Sequence, residues 1–293
     1  MTAPVIPPRV AVIGGGRMGA GIAQVFATLG SEVVIAEAGD QAAARDRVAT
    51  GLRRADERGK LVHSTCDEIL DRLTTVSSPS ELPAETDLVV EAVPENPDLK
   101  TAVLAIAEKA VGPDAVIASN TSSLSITELG AGLANPGRFL GMHFFNPVPA
   151  SDLVEIVVAP ATSDVVVEKA VSWVKQLGKV EVVVKDSPGF ATSRLGVLLG
   201  LEAIRMLEEG VADAAAIDRA MELGYRHPMG PLRSTDLVGL DVRLAIAEHL
   251  AATLGPRFEP PQLLRNKVSR GELGRKSGRG FYDWTSPATG EQR

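Results

Sequence analysis

Few side chains in this sequence are suited to proton transfer. The 293 residues include four histidines (His63, His143, His227, His249), two tyrosines (Tyr225, Tyr282) and one cysteine, Cys66. His143 lies near the end of an apolar run, within Gly141-Met142-His143-Phe144-Phe145-Asn146-Pro147. Twelve residues later, Glu155 interrupts the apolar stretch Leu153-Val154-Glu155-Ile156-Val157. A carboxylate rarely sits in such a run without a partner. If the two runs are adjacent strands, Glu155 reaches His143 and fixes its tautomer, the base-and-orienter arrangement of general acid–base catalysis. A satisfied core histidine in a structural ion pair fits the same spacing, and both readings stay open.

A second constellation is built from glycine. Gly14-Gly15-Gly16-Arg17-Met18-Gly19 follows the apolar run Arg9–Ile13 and opens a helical pattern over 18–29. In that context the spacing reads as a dinucleotide-binding turn. Gly14 permits the turn, Gly16 lets backbone approach a pyrophosphate, and Gly19 lets helix and strand pack closely. Arg17 precedes and Met18 starts the helix, whose free N–H groups and partial positive charge suit phosphates. Glu37 closes the next apolar run, 23 residues after Gly14. A carboxylate there takes ribose hydroxyls and repels a 2′-phosphate, which favours NAD over NADP.

Other chemistries fare badly. Four residues after Tyr225 and Tyr282 stand Met229 and Ser286, so no Tyr-x-x-x-Lys pair exists. One cysteine excludes an intrachain disulfide and any multi-cysteine metal site. With 30 basic and 37 acidic residues the formal charge is −7, which argues against nucleic acid or an anionic membrane as main partner. No stretch approaches the roughly 18 apolar residues of a membrane span. Residues 1–9 hold three prolines and no apolar run, so they read as a loose tail and not a signal peptide. The last residues, 286–293, read as a polar, frayed end. A reducing, cytoplasmic setting is the simplest expectation.

The elements that must position these residues alternate. Apolar, β-branched runs at Arg9–Ile13, Glu32–Ala36, 87–93, 115–118, Phe139–Phe144, Leu153–Val158 and Val180–Lys185 read as strands covered on both faces. Helical patterns at 18–29, 42–58, 99–110 and 165–177 lie between them. That alternation predicts an α/β fold, a doubly wound Rossmann-type domain with a mostly parallel sheet. The later strands are too close together for a crossover helix between every pair, so some antiparallel pairing is expected. After Asp186-Ser187-Pro188-Gly189 strand signals vanish, and helices at 192–209, 213–223 and 236–254 each end at a glycine. The expected division is 1–186, a cofactor-binding domain, and 187–293, an all-α domain. Ser119-Asn120-Thr121-Ser122-Ser123 follows the 115–118 strand, so its hydroxyls project at the sheet edge where α/β folds place ligands. Such clusters are also ordinary turns.

Taken together, Gly14 to Ala23, Glu91-Ala92-Val93-Pro94-Glu95-Asn96, Ser119 to Ser123, His143 to Pro149, Asp186 to Phe190, and His227-Pro228-Met229-Gly230-Pro231 through Gly239-Leu240-Asp241 resemble the L-3-hydroxyacyl-CoA dehydrogenase family, including bacterial 3-hydroxybutyryl-CoA dehydrogenases. The match is collinear from about Arg9 to Trp284. The resemblance implies NAD-dependent interconversion of (S)-3-hydroxyacyl-CoA and 3-ketoacyl-CoA. It implies that His143 is the base, Glu155 its carboxylate partner, and Ser122 a hydroxyl facing substrate and nicotinamide. Further cofactor contacts are implied for Glu37, Glu95, Lys100, Asn146 and Lys276. Solvated surface charge is the plain alternative for Lys100 and Lys276. Ser193 stands where the family often has asparagine, which bears on contact with the substrate carbonyl. By the same analogy Arg53, Arg54, Arg58 and Lys60 meet coenzyme A phosphates, although Asp56 and Glu57 beside them also suit a merely solvated face. A serine expected to help there is Gly51. A relative acting on a free hydroxy acid (gulonate type) or an acyl-carrier-protein thioester remains open, as does a non-catalytic NAD-binding protein. A homodimer through the helical domain is expected from apolar faces such as 195–201.

Overall fold

A computed structural model describes residues 6–285. Both expected loose ends, residues 1–5 of the first and 286–293 of the last, lie outside the described residues. The chain divides into two compact units between Phe190 and Ala191.

The first unit is an alternating α/β structure. In chain order it runs β1 (Arg9–Ile13), α1 (Arg17–Thr28), β2 (Glu32–Ala36), α2 (Gln41–Asp56), α3 (Cys66–Leu70), β3 (Leu73–Val76), β4 (Leu88–Glu91), α4 (Pro97–Ala110), β5 (Val116–Ser119), α5 (Ile126–Gly130), β6 (Phe139–Phe144), β7 (Leu153–Val158), α6 (Asp164–Gln176) and β8 (Val180–Lys185). The strands form one sheet in the order β3-β2-β1-β4-β5-β6-β7-β8. Every neighbouring pair is parallel except β6 with β7. The expected antiparallel addition therefore falls at the pair that carries His143 and Glu155.

Strand side chains alternate between two cores, as a period of two requires. Val10, Val12, Leu140, Met142, Phe144, Val154 and Ile156 join one cluster with Phe26 of α1 and Trp173 of α6. Ala11, Ile13, Phe139 and Val157 join the other with Leu104 of α4. On β6 and β7 that alternation puts His143 and Glu155 on the second face. Parallel strands covered on both sides are apolar throughout, which is why β1, β4 and β5 were legible as runs of Val, Ile and Ala.

The order of strands reverses between β1 and β4, the place where open α/β sheets leave a crevice at their C-terminal edge. Helix caps shape that edge. Asp40 accepts from the Ala43 N–H, Asn96 from Leu99, and Ser125 from Glu128. The start of α1 differs: Gly16 is its N-cap and no side chain caps it.

Among the described residues, the regular structure of the second unit is helical: α7 (Thr192–Glu208), α8 (Ala214–Gly224), α9 (Pro231–Val238), α10 (Leu240–Leu254) and α11 (Gln262–Ser269). Its core gathers Val197, Leu201, Ile204, Leu232, Leu240, Leu250 and Leu264. The helix expected over 236–254 is two helices. Gly239 separates them with a φ of 105°, outside helical space. Buried Asp218 holds the start of α9 by accepting from the N–H groups of Leu232 and Arg233, and the Tyr282 hydroxyl donates to the same carboxylate. Buried Asp236 ties in the last described segment by accepting from the N–H groups of Phe281 and Tyr282 and from Trp284 Nε1.

Sequence reading missed β3. Leu73-Thr74-Thr75-Val76 is an edge strand of four residues, two of them threonine, so it carries little apolar signal. The short helices α3 and α5 escaped for a related reason: five residues are too few for a helical period to register.

Candidate active site

The glycine turn sits at the end of β1. Gly14 has a φ of +98°, which a side chain disfavours, and a Cβ on Gly19 would stand 1.8 Å from the Gly14 carbonyl oxygen. Gly16 has open space where its Cβ would be. The bare turn and the uncapped first turn of α1, with Arg17 and Met18 at its start, leave donors for a pyrophosphate. Glu37 lies just beyond β2 and braces the turn: its Oε2 accepts from Gly15 N–H at 2.7 Å and its Oε1 from Gly39 N–H at 2.8 Å. A carboxylate oxygen carries two lone pairs, so these bonds still leave acceptor capacity for ribose hydroxyls. The residues present fit a dinucleotide.

His143 and Glu155 face each other directly in the β6–β7 register. Nδ1 of His143 is 2.8 Å from Glu155 Oε2, and both side chains are buried. With Glu155 ionised, Nδ1 donates and Nε2 carries the lone pair. The imidazole packs against Phe145 at a centroid distance of 4.3 Å and lies 6.0 Å from Phe190. The structure thus brings together the two residues that the sequence singled out.

Ser122 is held by a network the sequence did not reveal. Glu95 Oε1 accepts from the Thr121 hydroxyl at 2.6 Å and from Ser122 N–H at 2.9 Å, with the Ser122 hydroxyl 3.3 Å away. Lys100 stands behind Glu95, its Nζ 3.3 Å from Oε2. The same ammonium donates to Glu91 Oε1 at 2.7 Å and to the Val93 carbonyl at 3.2 Å. Glu91 also accepts from Ser119 Oγ at 2.5 Å. Glu91 and Lys100 are 0% and 1% exposed, so Lys100 is not the solvated surface charge that was its plain alternative. For Glu95, burial is the largest influence and raises the pKa. The Lys100 charge and the bonds from Thr121 and Ser122 outweigh it and hold the carboxyl below its ordinary value.

Three more residues shape this edge unannounced by sequence. Asn120 Oδ1 accepts from Phe144 N–H at 2.8 Å, tying the serine loop to the strand of His143. Asp186 Oδ2 accepts from the hydroxyls of Ser125 and Thr127. Buried Lys179 donates to the carbonyls of Val148 and Ser151, pinning the loop after β6, and burial lowers its pKa against the pull of Asp152. Glu91 was within reach of sequence reasoning. It is a carboxylate ending an apolar strand, the signal that picked out Glu155.

A cleft of about 960 Å³ opens between α1, α2 and the loop 146–150. Arg54, Arg58 and Lys60 line it with Arg17 and Asn146. Arg53 is not among its lining residues and bonds Thr50 instead. Ser193 and Lys276 belong to the helical unit. Ser193 is in the first turn of α7, and Lys276 donates to Asp241 at 2.6 Å in an exposed pair.

Strand order and glycine turn define a dinucleotide-binding domain carried in one chain with a helical unit. Two family models cover nearly all of it. The 3-hydroxyacyl-CoA dehydrogenase NAD binding domain matches residues 9–187, and the C-terminal domain of the same family matches residues 189–284. The chain belongs to the 3-hydroxyacyl-CoA dehydrogenase family, an oxidoreductase family whose cofactor is NAD. It is 40% identical over 279 residues to a probable 3-hydroxybutyryl-CoA dehydrogenase of Bacillus subtilis, covering 94% of this chain and 97% of that one. It is 42% identical over 281 residues to a 3-hydroxybutyryl-CoA dehydrogenase of Mycobacterium tuberculosis, covering 94% and 98%. Among solved structures, an (S)-3-hydroxybutyryl-CoA dehydrogenase from Ralstonia eutropha superposes with a TM-score of 0.90 at 41% identity, over 96% of this chain and all of that one. No described helix is long and apolar enough to cross a membrane.

Proposed function

We propose that this chain interconverts an (S)-3-hydroxyacyl-CoA and the corresponding 3-ketoacyl-CoA, with His143 as the acid–base group. The observation that carries the proposal is the 2.8 Å contact between His143 Nδ1 and the buried carboxylate of Glu155 at the ligand edge of the sheet. In the oxidative direction His143 Nε2 takes the proton of the C3 hydroxyl as the C3–H bond breaks. Bound NAD supplies the hydride acceptor. Glu155 stabilises the imidazolium that forms, and in the reductive direction that imidazolium returns its proton to the alkoxide.

The remaining roles follow the same reading. The Ser122 hydroxyl holds the substrate oxygen, its position set by Glu95. Gly16, Arg17 and Met18 receive the pyrophosphate on a turn that Gly14 and Gly19 make possible, Glu37 the adenosine ribose, and Glu95, Lys100 and Asn146 support the nicotinamide end. Arg54, Arg58 and Lys60 meet the phosphates of coenzyme A, which a protein of net charge −7 must attract locally. Ser193 and Lys276 are assigned to substrate and cofactor by family resemblance alone. In this scheme residues 1–186 bind the cofactor, and 187–293 serve substrate binding and pairing of two copies. A single cysteine is in keeping with a reducing, cytoplasmic setting.

Steady-state rates in both directions test the proposal. Acetoacetyl-CoA with NADH is expected to outpace carrier-protein thioesters, free hydroxy acids and any reaction with NADPH. Turnover confined to free hydroxy acids would displace the thioester reading.

A further inference from the structure

Four lysine and arginine side chains are buried among the described residues, and three of them are answered. Lys100 meets Glu91, Lys179 two loop carbonyls, and Arg138 the carbonyls of Gly112 and Glu108. Arg243 of α10 differs. It is 6% exposed, and its Nε is buried without a hydrogen-bond partner among the described residues. Burial alone pushes its pKa down to about 10, with no described carboxylate to pull it back, so the group is a cation at neutral pH. A buried charge without a counter-charge is destabilising, so the position asks for an anion.

The run of the side chain says where that anion lies. A Cβ on Gly200 of α7 would stand 3.8 Å from Arg243 Nε, and one on Gly196 would stand 3.6 Å from Nη1. Any longer side chain at these glycines would take the place of the guanidinium. From Nε to Nη1 the group advances one turn along α7, toward the N-terminus of that helix. The next residue on the same side, close to one turn further back, is Ser193. Leu195 and Leu198, exposed on α7, lie on the opposite side of the helix. Family resemblance assigns position 193 to the substrate carbonyl. Coenzyme A offers no anion within a turn of its thioester, because the pantetheine arm is uncharged. The acyl chain beyond C3 is the part left to carry one. Two methylenes and a carboxylate past C3 span about the 5.4 Å of a helical turn.

We propose that Arg243 is a specificity-determining residue that recognises a carboxylate at the far end of the acyl chain. The preferred thioesters are then those of 3-hydroxydicarboxylic acids. This deepens the thioester reading above and rests on it. An arginine–carboxylate pair is charge-assisted and can be bidentate, whereas an alkyl chain end leaves the cation unanswered.

The test compares 3-oxoadipyl-CoA with 3-oxohexanoyl-CoA, which differ only in ending in a carboxylate or a methyl group. With NADH, the parent kcat/KM is expected to be at least about tenfold higher for 3-oxoadipyl-CoA. In Arg243→Met that ratio is expected to fall roughly ten- to hundredfold, with 3-oxohexanoyl-CoA now the better substrate. Arg243→Lys keeps the charge without the fork and is expected to give an intermediate ratio. The melting temperature of Arg243→Met is expected to hold or rise, since an unpaired buried charge is removed. Equal use of the two thioesters by the parent would overturn the assignment, and so would an unchanged ratio in Arg243→Met. A shift of Arg243→Met to half the parent's mass in solution would also overturn it, giving the guanidinium to a second copy. A parent that reduces acetoacetyl-CoA but not 3-oxoadipyl-CoA overturns this inference alone. One that reduces neither overturns the substrate reading itself.

Discussion

His143 and Glu155 are register partners across the one antiparallel pair of the sheet, and their side chains meet at 2.8 Å between Nδ1 and Oε2. The pairing fixes more than distance. Strand backbones hold both residues on one face, so neither side chain has to be ordered by a loop. A carboxylate in that place makes Nδ1 the donor and leaves Nε2 as the base.

Glu155→Gln tests the orienting role. The amide can donate to Nδ1, which favours the tautomer with its proton on Nε2 and removes the base. Turnover is expected to fall by at least about tenfold, with substrate KM little changed. A variant as active as the parent would reduce Glu155 to a structural partner.

Lys100→Met tests the buried network. The change leaves Glu91, 0% exposed, without its cation. Loss of one partner of a buried pair costs about 3–5 kcal/mol. Urea denaturation is expected to show a loss of that order, partly restored in Glu91→Gln/Lys100→Met. An unchanged midpoint would mean that the pair contributes nothing to stability.

Acid sensitivity follows from Glu95. Its folded carboxyl titrates below the ordinary 4.5, so the unfolded chain binds more protons between the folded and the unfolded pKa. Stability from this group is fully present above the unfolded value and is lost as pH falls through the folded one. Melting temperatures measured from about pH 6 down to about pH 3 are expected to drop less steeply for Glu95→Gln than for the parent. Parallel curves would remove Glu95 as a source of acid sensitivity.

Glu37 is expected to set cofactor choice. Glu37→Ala removes the carboxylate that repels a 2′-phosphate, so the ratio of kcat/KM for NADH over NADPH is expected to fall. The same change frees the Gly15 N–H that Glu37 holds, so activity with NADH is expected to decline too. An unaltered ratio would place cofactor selection elsewhere.

The proposed dimer has its own readout. Leu195 on α7 is 67% exposed and Leu198 is exposed beside it, an apolar strip on the helical unit. A mass twice 30.7 kDa is expected at micromolar protein, shifting toward the monomer in Leu195→Asp. A monomeric parent at that concentration would count against pairing.

Much of this was legible in the residues because burial leaves a strong trace. Strands covered on both faces must be apolar, so β1, β2 and β4 to β7 announce themselves, and a carboxylate such as Glu155 stands out against them; β8, expected to be covered as well, is an exposed edge strand that its β-branched valines alone gave away. Edge strand β3 faces no such demand and stayed silent. Side chains that act on backbone were also invisible. Asn120, Asp186 and Lys179 are ordinary polar letters in loops or at strand ends, and only the fold brings them to the N–H and C=O groups they hold. Lys100 shows the same limit from the other side: nothing in its neighbours says that a lysine on α4 is buried, because its carboxylate partner Glu91 comes from another element. The break at Gly239 was hidden by an apolar pattern that continues through it.

The central claim is that His143 moves the proton, and His143→Gln measures it most directly. With acetoacetyl-CoA and NADH at saturation, the folded variant is expected to turn over roughly 10²–10⁴-fold more slowly than the parent. Turnover within a factor of a few of the parent would contradict the account.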